Sequence, residues 1–172
     1  MENNPMKNQN YAKGGIDMNQ AVREKEVGGE RIVRILRNIS LFFLGAALYY
    51  SIEVAWRGYS HFSMAICGGL GMCGIYALGA REAKYPPLDL VRRCLGGMLI
   101  ITSLEFVTGC IVNLWLGWSV WDYSDMPYQF LGQVCLPYVL LWFALSVPIN
   151  LLCDILRRFV FEPGVGRRPA RG

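Results

Sequence analysis

Three long blocks of apolar sequence that are almost free of charge constrain the fold of this chain more than any other feature. Residues 39–80 contain only two Asp, Glu, Lys or Arg residues, residues 95–121 contain one, and residues 126–153 contain none. A helix needs about 20 apolar residues to cross a hydrocarbon layer about 30 Å thick. We therefore predict an all-α integral membrane protein, built as a bundle of four transmembrane helices.

The predicted spans divide the chain into regions of different character. These regions are a disordered polar tail (1–29), an amphipathic basic helix beside the membrane (30–38), the transmembrane domain (39–155) and an arginine-rich cytoplasmic tail (156–172). The four spans are predicted at about 39–56, 62–80, 95–116 and 130–153. Pro137 and Pro148 should kink the last span unless neighbouring groups satisfy the carbonyls that they free.

The distribution of Lys and Arg predicts the orientation in the membrane. The segment before the first span holds seven of them, the second connection four and the C-terminal tail five, whereas the first connection holds only Arg57 and the third none. By the positive-inside rule, both termini and the second connection are cytoplasmic. Aromatic residues of the kind that form an interfacial belt cluster at the opposite surface, namely Trp56, Trp115, Trp118, Trp121 and Tyr123.

Composition excludes several other classes of protein. Charged residues make up 17% of the chain, against about 25% in an ordinary soluble domain. A soluble enzyme, a secreted disulfide scaffold and a nucleic-acid-binding domain are therefore not expected. Six widely spaced cysteines and the single His61 do not supply the usual zinc ligands, so we interpret the cysteines as buried thiols and expect no metal or cofactor.

A glycine-rich stretch in the second span invites two interpretations. Residues 69–74 match the G-x-G-x-x-G pattern of dinucleotide sites, but they lie in an apolar run with no preceding strand. Gly68, Gly71 and Gly74 fall on nearly one helical face instead. Small residues at that spacing let another helix approach closely, so we predict a role in helix packing.

Glu105 lies near the middle of the third predicted span. An ionised carboxylate there costs at least about 2.5–3.5 kcal/mol on insertion scales, so its side chain should face the bundle interior. One interpretation is a proton or substrate group in a transport pathway. The other is a hydrogen-bonded carboxyl that fixes helix packing, and the sequence leaves both open.

A second set of polar residues is predicted at the outer end of the bundle. They are contributed by the first, third and fourth spans and by the first and third connections, and could converge on a pocket open to the outside. The simpler alternative is a Glu53–Arg57 ion pair at i,i+4 together with ordinary interfacial residues. The candidate pathway or polar-network residues are Glu105, Asn113, Glu53, Arg57, His61, Gln133, Trp118, Trp121 and Asp122.

Several stretches of the sequence resemble a known bacterial membrane family. The matching stretches are WRGYSHFSM (56–64), GGL (68–70), LEFVTGCIVNLWLGW (104–118), VWDYS (120–124), GQ (132–133), CLP (135–137) and LLW (140–142). Together they resemble the CmpB-like, type IV ABC-transporter permeases over about residues 51–152, although Phe62 stands where members often have tryptophan. The resemblance implies a permease-like subunit in the bacterial plasma membrane.

Three functions follow as hypotheses. The leading one is a transport-type membrane protein that works as a homo-oligomer or with a separate ATPase, since the chain has no G-x-x-x-x-G-K-[ST] motif of its own. The second is a non-transporting accessory protein whose intramembrane polar residues are structural. The third is an enzyme acting on lipid headgroups through Glu53, His61 and Asp122. We favour a protein that is not an enzyme, with the lipid bilayer as its first partner and no nucleic acid.

Overall fold

Four long helices make up most of the chain that the computed structural model describes, which is residues 18–82 and 90–161. They are α1 (Met18–Arg57), α2 (Phe62–Glu82), α3 (Leu90–Gly109) and α4 (Leu136–Leu156). The last two continue as π-helical segments, Cys110–Trp115 after α3 and Arg157–Phe161 after α4. Within the described residues, the helices long and apolar enough to cross a membrane are Glu26–Arg57, Phe62–Gly79, Leu90–Trp115 and Leu136–Phe161. The predicted set of four such helices is confirmed.

The chain divides into two compact units, Met1–Arg37 and Asn38–Gly172. In the first unit, α1 begins at Met18, inside the segment 1–29 that the sequence predicts to be disordered. Residues 21–26 are good helix formers apart from Val22, which favours the earlier start, and α1 continues through Gly28 and Gly29 into the predicted basic helix 30–38. Residues 1–17, the rest of the predicted tail, lie outside the described residues.

In the second unit, α1 and α2 approach each other closely at Gly45 and Gly68. A Cβ atom at Gly68 would lie 2.7 Å from the carbonyl oxygen of Gly45 and would overlap the Cβ of Tyr49. The other two glycines of the predicted packing face contact a different helix. A Cβ atom at Gly71 would lie 3.6 Å from Ile101, and one at Gly74 would approach Ile100, both on α3. The glycines of the predicted packing face therefore contact two different helices, α1 at Gly68 and α3 at Gly71 and Gly74.

A buried apolar cluster of this unit takes its members from α1, α2 and α4. Its buried members are Leu41, Met72, Ile75, Tyr76 and Cys153. All six cysteines are free thiols, and four of them are buried. Cys153 belongs to the apolar cluster, whereas the thiol of Cys67 lies 2.9 Å from the Thr108 hydroxyl.

An ion-pair cluster joins α3 to α4 at the end of the bundle where α4 finishes. The guanidinium of Arg93 donates two hydrogen bonds of 2.8 Å to the two carboxylate oxygens of Asp154. Arg157 donates to the carbonyl oxygen of Tyr76 at 2.9 Å and so reaches α2 as well. Arg93 belongs to the helix because α3 begins at Leu90, ahead of the predicted start at 95. A bidentate pair of this kind is stronger than a single hydrogen bond.

The connection between α3 and α4 contains a short antiparallel hairpin. Strands β1 (Gln129–Phe130) and β2 (Val134–Cys135) pair with Gln129 opposite Cys135. The sequence predicts a fourth span from 130, but α4 begins at Leu136, because Leu131 and Gly132 have positive φ angles that a helix cannot continue.

The two prolines of the fourth span occupy different positions in α4. Pro137 lies in the first turn, where its missing N–H is no loss, so it does not act as an internal helix breaker. Pro148 lies inside the helix. Beside it, the Ser146 hydroxyl donates to the Trp142 carbonyl oxygen at 2.7 Å, and the Asn150 amide donates to the Ser146 carbonyl oxygen at 2.8 Å. Neither bond reaches the carbonyl oxygen of Ala144, which is the group that loses its helical partner to Pro148.

Candidate functional site

The carboxyl group of Glu105 lies at the centre of the second unit and is held by two other helices. Only 2% of the residue is exposed. Its Oε1 accepts a hydrogen bond of 2.6 Å from the Tyr49 hydroxyl of α1, and its Oε2 accepts one of 2.6 Å from the Trp142 indole N–H of α4. The rings of Tyr49 and Trp142 stack with centroids 5.4 Å apart. Three helices therefore meet at one carboxyl, and both donors are neutral.

Local sequence explains why these partners reach Glu105. The close approach of α1 and α2 at Gly68 brings the α1 residue Tyr49 inward. On α4, the side chains of Trp142, Ser146 and Asn150 recur every four residues and are all buried. Side chains at that spacing share one helix face. A Cβ atom at Gly97 of α3 would lie 2.6 Å from the Ser146 hydroxyl, so this face of α4 lies tightly against α3.

Three of the predicted outer residues form a second hydrogen-bonded cluster. The Asn113 amide nitrogen donates to the Gln133 side-chain oxygen at 2.8 Å and to the Trp121 carbonyl oxygen at 3.0 Å. The Asn113 oxygen accepts from the backbone N–H of Val120 at 2.7 Å. The Trp121 indole N–H donates to the Gln133 carbonyl oxygen at 2.9 Å. We call Asn113, Trp121 and Gln133 the loop cluster, because its bonds tie the α3–α4 connection to the end of α3.

The end of α1 carries a separate ion pair. Glu53 pairs with Arg57 one helical turn later and also accepts a hydrogen bond from the Ser60 hydroxyl. Arg57 donates to the carbonyl oxygen of Val120 at 3.4 Å. The N–H of Val120 donates to Asn113, so the backbone of Val120 connects the Glu53–Arg57 ion pair to the loop cluster.

His61 and Asp122 form hydrogen bonds neither with the Glu105 site nor with the loop cluster, but with nearby serines. The Nδ1 of His61 lies 2.9 Å from the Ser63 hydroxyl, and its ring packs against Trp118 with centroids 5.5 Å apart. Asp122 accepts from the backbone N–H and the hydroxyl of Ser124. These hydrogen bonds hold the pKa of Asp122 below its ordinary value, so their stabilising effect persists until the pH falls below the usual carboxyl range. Glu53, His61 and Asp122 are thus each bonded to a different serine.

A cavity of about 290 Å³ adjoins Tyr49 and Trp142, the two residues that hold the Glu105 carboxyl. All four helices contribute to its wall, and nearly all of that wall is apolar. Tyr49 and Trp142 belong to the wall, whereas the carboxyl that they hold does not. The stacked rings of Tyr49 and Trp142 therefore lie between the apolar cavity and the Glu105 carboxyl.

Sequence reasoning missed Tyr49 and Trp142, the two residues that define the Glu105 site. Tyr49 is 56 residues and Trp142 is 37 residues away from Glu105 in the chain. The one available signal was the spacing of Trp142, Ser146 and Asn150, because buried polar groups repeated along one face of an apolar helix need partners on a neighbouring helix.

Gly132 provides a direct test of the α3–α4 connection. Its φ is +67°, and a Cβ atom there would lie 2.7 Å from the Ser124 hydroxyl and 2.8 Å from Asp122 Oδ1. Gly117 has the same φ with nothing within 4 Å. We expect Gly117→Ala to lower the free energy of unfolding by about 1–2 kcal/mol through backbone strain alone. Gly132→Ala should cost about 2–4 kcal/mol, because the clash adds to that strain.

Thermal unfolding of the purified variants in one detergent measures both values. Equal losses for Gly117→Ala and Gly132→Ala would contradict the packing of Gly132 against the Asp122–Ser124 turn. A larger loss for Gly132→Ala alone supports it.

Comparison with known proteins identifies the family. The family model described as "Putative ABC-transporter type IV" matches residues 40–162. No curated protein and no solved structure matches the chain. The matched residues run from the second half of α1 through α4, and so include Glu105 with both of its partners and the loop cluster. The chain belongs to this ABC-transporter-type family, as its resemblance to the CmpB-like permeases predicts.

Proposed function

We propose that the chain is the membrane-spanning, permease-like subunit of a transport system in the bacterial plasma membrane. The observation that carries the proposal is the buried Glu105 carboxyl, which side chains of α1 and α4 hold in a member of an ABC-transporter-type family. An acidic residue inside a spanning helix is costly to insert and is a functional-site hypothesis by default. Glu105 is the group that we assign to the pathway.

In the proposed orientation, both termini and the α2–α3 connection face the cytoplasm. Sixteen of the 17 Lys and Arg residues then lie on the cytoplasmic side, as the positive-inside rule requires. The exposed side chains of Trp56, Trp115 and Tyr128 lie at helix ends and in the connection assigned to the outer side, where aromatic belts form. Exposed leucines such as Leu99 and Leu151 would face lipid.

The same orientation assigns roles to the polar clusters. The loop cluster, with the Glu53–Arg57 pair beside it, closes the outer end of the bundle. Trp118 and Asp122 are exposed in the same connection, at the outer mouth of the proposed pathway. A movement of α1 would remove the Tyr49 hydrogen bond and leave Glu105 attached to α4 alone. Access to Glu105 in a transport cycle would thus depend on the contact between α1 and α2.

A transport system of this family type needs an ATPase on a second chain, because no phosphate-binding G-x-x-x-x-G-K-[ST] motif is present. The α2–α3 connection is our proposed docking segment, and it includes residues 83–89, which lie outside the described residues. Arg92 is exposed at the start of α3 beside that segment.

Co-purification tests the proposal. The chain, tagged at its C-terminus, is extracted in a mild detergent, and mass spectrometry identifies what accompanies it. We expect a nucleotide-binding subunit at a stoichiometric amount. Arg92→Gln should weaken the association, whereas Arg31→Gln, a matched change in the first unit, should not. A homogeneous homo-oligomer without such a subunit would contradict the ATPase-dependent function.

A non-transporting accessory protein is the second candidate function. One observation favours it: the amide groups of Asn113 and Gln133 all have hydrogen-bond partners within the chain. Groups that are satisfied in this way rigidify a structure without any ligand. In that case Glu105 would hold α1, α3 and α4 together, and a conservative replacement would leave both abundance and association with other subunits unchanged.

A further inference from the structure

The apolar cavity beside the Tyr49–Trp142 pair is the feature that the proposed function leaves unexplained. It measures about 290 Å³ and lies among the parts of the helices that are long and apolar enough to span a membrane. Its side walls include Leu48 of α1 and Leu145 and Ile149 of α4. Gly71 of α2 also lines it and leaves room that a larger side chain would fill.

The cavity offers its occupant almost no polar partner. Tyr49 and Trp142 line the wall, but the hydroxyl of one and the indole N–H of the other are both bonded to Glu105. Their stacked rings are therefore what an occupant would meet. Apolar cavities of this kind do not hold ordered water, which needs two to four polar partners. A charged or strongly polar ligand would lose its hydration without replacement.

Size distinguishes between the apolar occupants. One turn of an α-helix with its side chains is about 10–12 Å across and 5.4 Å long, so it fills roughly 400–600 Å³. A transmembrane helix from a second copy or a partner therefore cannot enter a cavity of about 290 Å³ as a whole and would fill it only with a few side chains. A methylene group takes up about as much space as a water molecule, roughly 30 Å³, so the cavity has room for about ten chain carbons.

We propose that this cavity binds one acyl chain of a membrane phospholipid, which packs against the Tyr49–Trp142 pair. The size, the apolar wall and the engaged polar groups all point to a linear hydrocarbon. The inference is independent of the proposed transport function. Loss of the ATPase partner in the co-purification experiment would leave it intact, and loss of lipid binding would leave the ATPase partner intact.

Photo-crosslinking with a phospholipid tests the inference on the full chain. The protein is reconstituted into phosphatidylcholine vesicles that contain a minor fraction of phosphatidylcholine with a diazirine in the middle of one acyl chain. It is then re-extracted into detergent, separated from loose lipid by gel filtration and illuminated, so that only retained lipid reacts. Mass spectrometry locates the adducts. We expect them on the cavity residues Leu145 and Ile149 rather than on the exposed Leu99 and Leu151.

Variants in which phenylalanine side chains fill part of the cavity provide the matched comparison. The double variant Leu48→Phe, Leu145→Phe narrows the cavity, whereas Leu99→Phe, Leu151→Phe makes the same changes at exposed positions. The first should lower the adduct yield about tenfold, because it removes the burial of a few methylene groups. The second should leave the yield unchanged.

Several outcomes would overturn the inference. They are no lipid retained by the unmodified protein, equal adduct yields on Leu99 and Leu145, an undiminished yield in the filled variant, or a protein that elutes from gel filtration as an oligomer with Leu145 and Ile149 free of adducts. If the filled variant does not fold, the positions of the adducts on the unmodified protein decide the question alone.

Discussion

Replacement of Glu105 by alanine should lower the free energy of unfolding by about 2–5 kcal/mol. The substitution removes the acceptor of two buried donors, the Tyr49 hydroxyl and the Trp142 indole N–H, each of which lies 2.6 Å from the carboxyl. A buried donor left without a partner costs about 1–3 kcal/mol. Because the two donors lie on α1 and α4, the loss should loosen the contacts of both helices with α3.

The conservative variant Glu105→Gln should cost about 1–2 kcal/mol, less than Glu105→Ala, for a geometric reason. The amide oxygen can accept from Trp142, whose indole N–H can only donate. The amide nitrogen can then donate to the Tyr49 hydroxyl, which also acts as an acceptor. Both contacts of the native side chain therefore survive, but the reversed one leaves the Tyr49 hydroxyl proton without its native acceptor, which accounts for the remaining cost.

Thermal unfolding in detergent, followed by gel filtration of the heated samples, measures the two variants against the native chain. Equal stability of Glu105→Ala and Glu105→Gln would contradict the hydrogen bonds to Tyr49 and Trp142. The stable Gln variant also separates the two candidate functions. In a permease it should lower the ATPase activity of the co-purified complex, whereas in an accessory protein that activity should not change.

The sequence predicted the helices well because the signal for a spanning helix is local. A run of about 20 uncharged apolar residues is visible without knowledge of its neighbours. The ends were predicted less well. The start of α4 at Leu136 depends on the hairpin before it, where Leu131 adopts a positive φ that few non-glycine residues adopt. Only the folded connection reveals that constraint.

The candidate site was predicted only in part, since its contacts depend on how helices cross. Glu105 stood out because an acidic residue in an apolar run is costly. Its donors Tyr49 and Trp142 did not, because tyrosine and tryptophan are ordinary residues of spanning helices. The polar side chains of Asn113 and Gln133 suggested that the two residues lie close together. They did not reveal the hydrogen bonds to backbone groups, such as the one from the Val120 N–H to Asn113, that tie these residues to the α3–α4 connection.

Gly68→Ala should be the most damaging single methyl addition in α2. The new Cβ atom would lie 2.7 Å from the Gly45 carbonyl oxygen and would overlap the Tyr49 Cβ, both on α1. Neither obstacle is the flexible end of a side chain, so the helices must separate. Overpacking costs about 1–3 kcal/mol, and displacement of Tyr49 from Glu105 adds the loss of a buried hydrogen bond, for a total of about 2–4 kcal/mol.

Gly71→Ala is the matched control on the same helix. A Cβ atom there would lie 3.6 Å from Ile101, at ordinary van der Waals distance. Alanine is a better helix former than glycine by about 0.5–1 kcal/mol, so this variant should be as stable as the native chain or slightly more stable. Similar unfolding temperatures for the two variants would show that α1 and α2 do not approach closely at Gly68.

The glycine pair also tests whether the α1–α2 contact controls the Glu105 site. If Gly68→Ala acts by displacing Tyr49, then adding Glu105→Ala should cost less than it does in the native chain, because one of the two hydrogen bonds is already lost. Non-additivity of this kind identifies residues that share an interaction. In the Gly71→Ala background, Glu105→Ala should keep its full cost. Additive losses in both backgrounds would mean that Tyr49 stays on Glu105 when α1 and α2 separate, and α1 would then have no control over access to the carboxyl.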